Sequence, residues 1–412
     1  YLLVRINDFS IIAAFYFYFN INSFNEKKMK ILALGGSGGM GRYAVRSLYN
    51  VKQIDKIYIA DVNALSAVEF ASNFDTRVEG FGLDITNYEL LKMEMLKVDL
   101  VVNTTGPFFK YAEPVLRAAI ETSTHYFDIC DDWEPTEKML QMNEEAKKAN
   151  MTAILGLGAS PGLTNILARM AMLELDDVKK VYTGWDMSAA KAESETSQTG
   201  VNAAMVHGIE QMVGKVKVFK NGNFEMVKPL EKININYPEI GIRSAYIFGH
   251  PEAITLPYNY PNINESFNLM HGNENGFIGI LKTIRFLINI KIITKNMAAK
   301  ILMWLETFNT SETKEDEIAN LPGVYGYAEG LKGGKIASVG VTIDGDINNF
   351  SMGEATSLPL ATGIKMFIDK KINKHGVHTP ESEIFDPLIF FEYLKKEMGD
   401  DAVLNTLISR SW

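Results

Sequence analysis

Seven residues, Gly35-Gly36-Ser37-Gly38-Gly39-Met40-Gly41, constrain this chain more than any others. They follow the apolar run Lys30-Ile31-Leu32-Ala33-Leu34 and open the helix-like run Arg42–Leu48. Gly36, Gly38 and Gly41 stand at the spacing G-x-G-x-x-G. Glycines so placed permit a tight turn, let backbone N–H groups approach a pyrophosphate, and let strand and helix pack closely. The N–H groups at a helix start then hold the phosphates. A second strand-like run, Lys56–Ala60, ends at Asp61, about 20 residues after Gly41, where a ribose-binding carboxylate is expected. Gly36, Ser37, Gly38, Gly39, Met40, Gly41 and Asp61 are therefore candidate positions for a dinucleotide. The alternative is an α/β domain that keeps the turn without the ligand.

The pattern around this motif alternates strand and helix. Apolar runs near Ile31, Ile57, Val101, Phe127 and Ile154 read as buried parallel strands, with a weaker one between Val78 and Leu83. Helical patterns fall at Gly39–Asn50, Leu65–Phe74, Tyr88–Lys97, Ala112–Thr122 and Pro135–Asn150. This alternation predicts an α/β fold with a doubly wound parallel sheet over residues 29–160. The texture then changes. Strands are expected at Val181–Trp185, Lys215–Phe219, Phe224–Val227, Ile233–Ile235, Ser244–Phe248, Val324–Glu329 and Ile336–Asp344, with a hairpin turn at Asn221-Gly222. Asn202–Val213, most of residues 264–320 and the stretch from Phe350 to Trp412 read as helical. Glu312 to Glu317 is expected on a solvated helix face. Residues 161–349 are thus a second, α+β domain on a mixed or antiparallel sheet, followed by C-terminal helices over 350–412.

The 412 residues carry a formal charge of −9, which argues against an electrostatically bound nucleic acid. Cys130 is the sole cysteine, so no intrachain disulfide forms, which fits a reducing, cytoplasmic setting. The six histidines show no metal-site spacing, and His375 and His378 read as loop histidines. Phe9–Phe19 is too short for a spanning helix, which needs about 20 residues. Residues 1–28 are expected to be translated upstream sequence, with Met29 the start; a membrane-surface anchor is the other reading. Lys282, Arg285 and Lys291 interrupt the apolar run Gly276–Thr294, making an amphipathic helix against the core or a partner subunit the expectation.

Candidate chemistry gathers at the predicted strand ends. The strand Asp99–Asn103 runs into Thr104-Thr105-Gly106-Pro107-Phe108, a loop on the cofactor side of the sheet, where Phe108 could face a nicotinamide. Asp84 is placed for the adenine end or for capping the helix near Tyr88. Asp128, Asp131 and Asp132 crowd the end of another strand; such carboxylates repel and suit a cationic substrate, while Asp132 could instead cap the next helix. Cys130 between them reads as a buried small hydrophobe. Gly156–Asn165, rich in glycine and proline, suits a crossover loop at the cleft floor. His250 and Glu252, two apart, could transfer a proton; a hydrogen-bonded loop histidine is the plain alternative.

Taken together, Gly35–Gly41, Asn103–Phe108, Tyr126–Asp132, Gly158–Asn165, Gly249–Leu256 and Gly376-Val377-His378-Thr379-Pro380-Glu381 resemble the saccharopine dehydrogenase-like oxidoreductases. That family includes lysine 6-dehydrogenase and the carboxynorspermidine-forming enzymes, and the resemblance spans Met29 to Trp412. It implies an N-terminal Rossmann domain, a second domain carrying substrate and dimer surfaces, and a tail that returns to the first domain. It also implies pyridine-nucleotide chemistry at a C–N bond of an amino acid or amine, with saccharopine or lysine the nearest substrate class, and a homodimer. His250 is the expected base, Glu252 its orienting group and Asp131 the attractor of a cationic substrate. NAD is the expected cofactor, because Val62 and Asn63 after Asp61 offer no arginine for a 2′-phosphate; the resemblance also admits NADP. The other readings are a carbonyl reductase on the same fold and a non-catalytic nucleotide sensor. No Tyr-x-x-x-Lys pair follows the fourth strand, which argues against the short-chain reductase form.

Overall fold

The computed structural model describes residues 28–187, 208–272, 275–306, 320–399 and 401–412. The expectations for residues 1–27, for the first half of Asn202–Val213 (residues 202–207) and for Glu312–Glu317 lie outside the described residues.

The first half builds a parallel sheet from β1 (Met29–Leu34), β2 (Ile54–Asp61), β3 (Val78–Gly82), β4 (Leu100–Asn103), β5 (His125–Asp128) and β6 (Thr152–Ile154). Its crossovers are α1 (Gly39–Tyr49), α2 (Ala64–Ala71), α3 (Tyr88–Met95), α4 (Phe108–Glu121), α5 (Trp133–Leu140) and α6 (Asn143–Lys148). The spatial order is β3-β2-β1-β4-β5-β6, with a seventh strand from the C-terminal tail beyond β6. The order reverses between β1 and β4, and the crevice at such a switch point is where α/β sheets bind ligands. Ile31, Leu32, Leu34, Ile57, Ile59, Val101 and Phe127 are buried because helices cover both faces. The single helix expected over Pro135–Asn150 is two, since Gln141 and Met142 N–H groups turn back to Lys138 and Met139. α4 starts at Phe108, four residues before the expected Ala112.

α7 (Leu163–Leu173) leads into a second sheet of nine strands. Its path begins with β7 (Asp177–Asp186), and the hairpin β8 (Val216–Lys220) and β9 (Asn223–Val227) turns at Asn221-Gly222, both at positive φ as that turn requires. β10 (Lys232–Tyr237) and β11 (Gly241–Phe248) follow, then α8 (Glu252–Asn259) and β12 (Glu265–His271). The helical reading of residues 264–320 missed β12, which lies parallel to β7 in mid-sheet. Its buried Ser266 and Asn268 hide it among polar residues. α9 (Asn275–Asn289) and α10 (Lys295–Glu306) follow, then β13 (Val324–Lys332) and β14 (Lys335–Gly345). The sheet curls until Tyr237 of β10 lies on Gly340 of β14; a Cβ at Gly340 would stand 2.2 Å from the tyrosine ring.

The tail is not all helix. α11 (Met352–Ile368) packs on α1, with Ser357 Oγ donating to the Met40 carbonyl at 2.9 Å. β15 (Gly376–His378) then joins β6 as the seventh strand of the first sheet, so His378 lies in a strand and not a loop. α12 (Pro387–Met398) precedes β16 (Leu404–Ser411), which pairs with β14 at the far edge of the second sheet. The tail thus ties both sheets together.

Candidate active site

The glycine turn leaves β1 at the switch point. Gly35 sits at φ +68°, and its carbonyl accepts the Gly38 N–H at 2.9 Å. A Cβ at Gly41 would stand 2.1 Å from that same carbonyl, so Gly41 is required for the helix to approach the turn. A Cβ at Gly38 would meet only the Gly35 carbonyl, at 3.2 Å, so packing alone does not demand glycine there. Gly39, Met40 and Gly41 form the first turn of α1, where a helix leaves N–H groups for an anion.

Asp61 ends β2 beside this turn. Its Oδ2 accepts the Ser37 hydroxyl at 2.7 Å and its Oδ1 the Asn63 N–H at 3.1 Å. The acid and the phosphate turn are thereby one unit. Arg42 donates from Nε to the Ser37 carbonyl at 2.6 Å and lies 4.8 Å from the Phe70 ring centre. This cation, set back on α1, was not apparent from the residues that follow Asp61. At the end of β3, Asp84 does not cap α3. Its Oδ1 accepts the Thr86 N–H and hydroxyl at 2.9 and 2.7 Å, holding the carboxyl below its ordinary value, while Asn87 caps the helix.

Across the switch point, Thr104 clasps β1 through its N–H and hydroxyl, which donate to the Leu34 carbonyl at 3.0 and 2.9 Å. Thr105 Oγ1 is buried beside Gly35 with no protein partner, an atom for which a bound ligand oxygen would supply one. After Gly106 and Pro107, Phe108 turns into the hydrophobic core, so it does not offer its ring to the crevice; Phe109 is the exposed ring. An open glycine turn, a helix start, an acid at the end of β2 and an unmatched hydroxyl fit a dinucleotide.

The three aspartates have separate fates. Asp128 is fully buried, accepting Tyr126 OH at 2.8 Å, Gly156 N–H at 2.7 Å and Cys130 N–H at 3.1 Å. Burial pushes its carboxyl up to about 6 against those donors. Asp132 does not cap the helix after it; its Oδ2 accepts the Phe109 N–H at 2.8 Å, at the start of α4. Asp131 is half-buried, and its carbonyl accepts Gln211 Nε2 at 3.0 Å. Cys130 is buried, and burial pushes its thiol up, as a structural cysteine's should be.

His250 and Glu252 close the second-domain side, but they do not join each other directly. Ser160 stands between them, its hydroxyl donating to Glu252 Oε1 at 2.6 Å with His250 Nδ1 at 3.2 Å. Thr164 Oγ1 and Asn268 Nδ2 also donate to Glu252 Oε1, each at 2.9 Å. Burial pushes the Glu252 carboxyl up to about 7 against these donors, and its Oε2 is buried with no partner. Trp185 organises the cluster. Its indole N–H can only donate, so at 3.2 Å from Asn268 Oδ1 it turns the Asn268 amide nitrogen toward Ser160, 3.3 Å away. With its one proton given to Glu252, Ser160 accepts from its other neighbours. When Glu252 is ionised this arrangement puts a hydrogen on His250 Nδ1, which in a neutral imidazole leaves the lone pair on Nε2. The Trp185 ring stacks on the imidazole at 5.6 Å and 12°.

The two sides meet through Gln211. Its amide holds the Asp131 carbonyl, and its own carbonyl lies 3.1 Å from where Gly249 would carry a Cβ, one residue before His250. Sequence reasoning named neither Gln211, Trp185 nor Asn268, which carry no motif. Another buried carboxylate, Glu381, is gripped by Asn165, Asn259 and Thr379 at 2.8, 2.8 and 2.9 Å, which fixes the tail against the Gly156–Asn165 loop.

Switch-point glycine turn, anchored acid and strand order define a dinucleotide-binding α/β domain. Residues 31–154 match the family described as the saccharopine dehydrogenase NADP binding domain. Over 376 residues the chain is 21% identical to carboxyaminopropylagmatine dehydrogenase of Synechocystis sp., covering 86% of this chain and 93% of that one. The structure of apo saccharopine dehydrogenase (L-Glu forming) from Saccharomyces cerevisiae superposes with a TM-score of 0.59 at 15% identity, over 92% of this chain and 100% of that one. The expected resemblance and two-sheet architecture are thus borne out. Among the described residues no helix is long and apolar enough to cross a membrane.

Proposed function

We propose that the protein is an NAD(P)-dependent dehydrogenase acting on a CH–NH group of an amino acid or amine, in the saccharopine or lysine class. The observation that carries this reading is the Ser160-centred cluster, which joins His250 to a buried carboxylate beside the loops of a dinucleotide-binding sheet. The likeness to dehydrogenases named for carboxyaminopropylagmatine and saccharopine supports the C–N bond as the target.

Gly36, Ser37, Gly38, Gly39, Met40 and Gly41 would hold the pyrophosphate, Asp61 the ribose, and Thr104, Thr105, Gly106 and Pro107 the nicotinamide side; Asp84 borders the adenine end. When bound, the nicotinamide takes a hydride from, or returns it to, the carbon that bears nitrogen. The protein's own task is the proton. An alkylammonium with a pKa near ~10.4 costs about 4 kcal/mol to neutralise at pH 7.4. His250 Nε2 accepts that proton, and Ser160 and Glu252 hold the imidazole in the required tautomer. Asp131 attracts the cationic substrate. NAD is the proposed cofactor, since the fixed carboxylate of Asp61 would repel a 2′-phosphate; the name of the matched domain family favours NADP, and paired titrations decide. Turnover of either cofactor with a panel of amino acids and amines tests the whole reading. A carbonyl reductase would turn over carbonyl compounds with no amine present, and a sensor would bind cofactor without turnover.

A further inference from the structure

The hairpin α9–α10 is built unlike the rest of the surface. Its inner faces bury Ile278, Leu281 and Ile284 of α9 and Ala298, Ala299 and Leu302 of α10 in one small core with Phe248 and Met270 of the second sheet. The outward faces are apolar as well. On α9 and the turn after it, Phe286 is 59%, Ile290 47% and Ile292 64% exposed. On α10, Met297, Ile301 and Trp304 recur at i, i+4 and i+7, one stripe of a helix, and Trp304 is 59% exposed. A soluble surface scatters such side chains singly; here six fall within one helical hairpin.

The charge of this element opposes that of the chain. Gly276–Glu306 holds Lys282, Arg285, Lys291, Lys295 and Lys300 against Glu306 alone, in a protein of net charge −9. Lys282 lies over the Tyr246 ring, Arg285 donates to the Pro229 carbonyl and Lys295 pairs with Glu210, so these three edge the hairpin where it meets the body. Lys291 is in the exposed turn and Lys300 on the exposed side of α10. An exposed apolar stripe with an aromatic residue, flanked by lysines, is the composition of a helix that lies in the plane of a lipid interface. α9 and α10 are 15 and 12 residues long, short of a span.

We propose that the α9–α10 hairpin docks this protein on an anionic membrane surface, inserting Phe286, Ile292 and Trp304 among the headgroups while Lys291 and Lys300 meet lipid phosphates. A second copy of the chain fits the same face less well, because a two-fold contact would bring one lysine-bearing face against another.

The test is co-sedimentation of the full chain with vesicles of phosphatidylcholine alone or mixed with phosphatidylserine. The proposal expects binding to the anionic vesicles, at least tenfold weaker binding to the neutral ones, and loss of binding as salt rises. F286E/W304E should abolish binding. K291E/K300E should weaken it by roughly fivefold or more for each position changed. Both variants change exposed side chains, so their thermal unfolding and their cofactor titration should match the parent. Absence of binding to anionic vesicles, equal binding by F286E/W304E, or a lipid-free dimer that F286E/W304E dissociates would each overturn it.

Discussion

Ser160 Oγ lies 2.6 Å from Glu252 Oε1, joining the loop that leaves the first sheet to the first turn of α8 in the second domain. This bond makes the proposed proton-handling group a property of the interface between the domains, for neither supplies it alone.

Glu252 should write itself into the pH dependence of stability. Burial raises its folded-state pKa from 4.5 to about 7, so the folded chain binds this proton more tightly than the unfolded one. Its contribution is then complete below about pH 4.5 and lost as the pH rises through about 7. Glu252→Gln removes the titration. The stability of the parent relative to this variant should fall by about 3 kcal/mol between pH 4.5 and 8. Denaturant melts at both ends of the range measure it; parallel profiles would show that Glu252 does not titrate in that window.

His250 and Asp131 should separate in steady-state kinetics. His250→Ala should lower kcat by roughly 10²–10⁴-fold with little change in KM, the deficit of a lost general base. Ser160→Ala keeps the imidazole but frees its tautomer, so a smaller loss of kcat with a displaced pH–rate profile is expected. Asp131→Asn should raise KM for the amine and spare kcat. Near-full kcat in His250→Ala would leave His250 as a stacked structural histidine against Trp185.

Gly38 and Gly41 differ in what a side chain would meet. Gly41→Val forces backbone atoms apart and should lower Tm or prevent folding, since its Cβ would stand 2.1 Å from the Gly35 carbonyl. Gly38→Val places a Cβ that meets only one atom, at 3.2 Å. It should fold and yet lose cofactor binding, because its side chain occupies the approach to the phosphate turn. Calorimetric titration of folded Gly38→Val with unchanged affinity would reduce the turn to a structural element.

Cofactor choice should follow Asp61. A carboxylate about 4 Å from a 2′-phosphate costs on the order of 4 kcal/mol per unit charge at an effective dielectric near 20, before screening. NADH should therefore bind more tightly than NADPH, and Asp61→Asn should narrow the gap. Tighter NADPH binding by the parent would point to Arg42, which the structure sets behind Ser37.

The first sheet was legible because its information is local: apolar runs of buried parallel strands, punctuated by the glycine turn and Asp61. β12 was not, because Ser266 and Asn268 are satisfied only by partners far along the chain, Glu252 and Thr183 among them. The same holds for β16, whose exposed, polar edge pairs only with β14. At the site, Glu252 was visible as a carboxylate near a histidine, but its link runs through Ser160, 92 residues away. Trp185, Asn268 and Gln211 are ordinary residues drawn into the candidate site by position. Phe108 and Phe109 show the limit of a loop motif, since which ring faces inward is settled only when α4 packs.

The most direct test follows nicotinamide absorbance in the full chain supplied with NADH or NADPH and paired carbonyl and amine substrates, and in reverse with NAD or NADP and secondary or primary amino-acid amines. The account predicts cofactor turnover that requires the nitrogen-bearing partner and falls in His250→Ala. Tight cofactor binding with no turnover on any amine, or turnover on carbonyl compounds with no amine present, would contradict it.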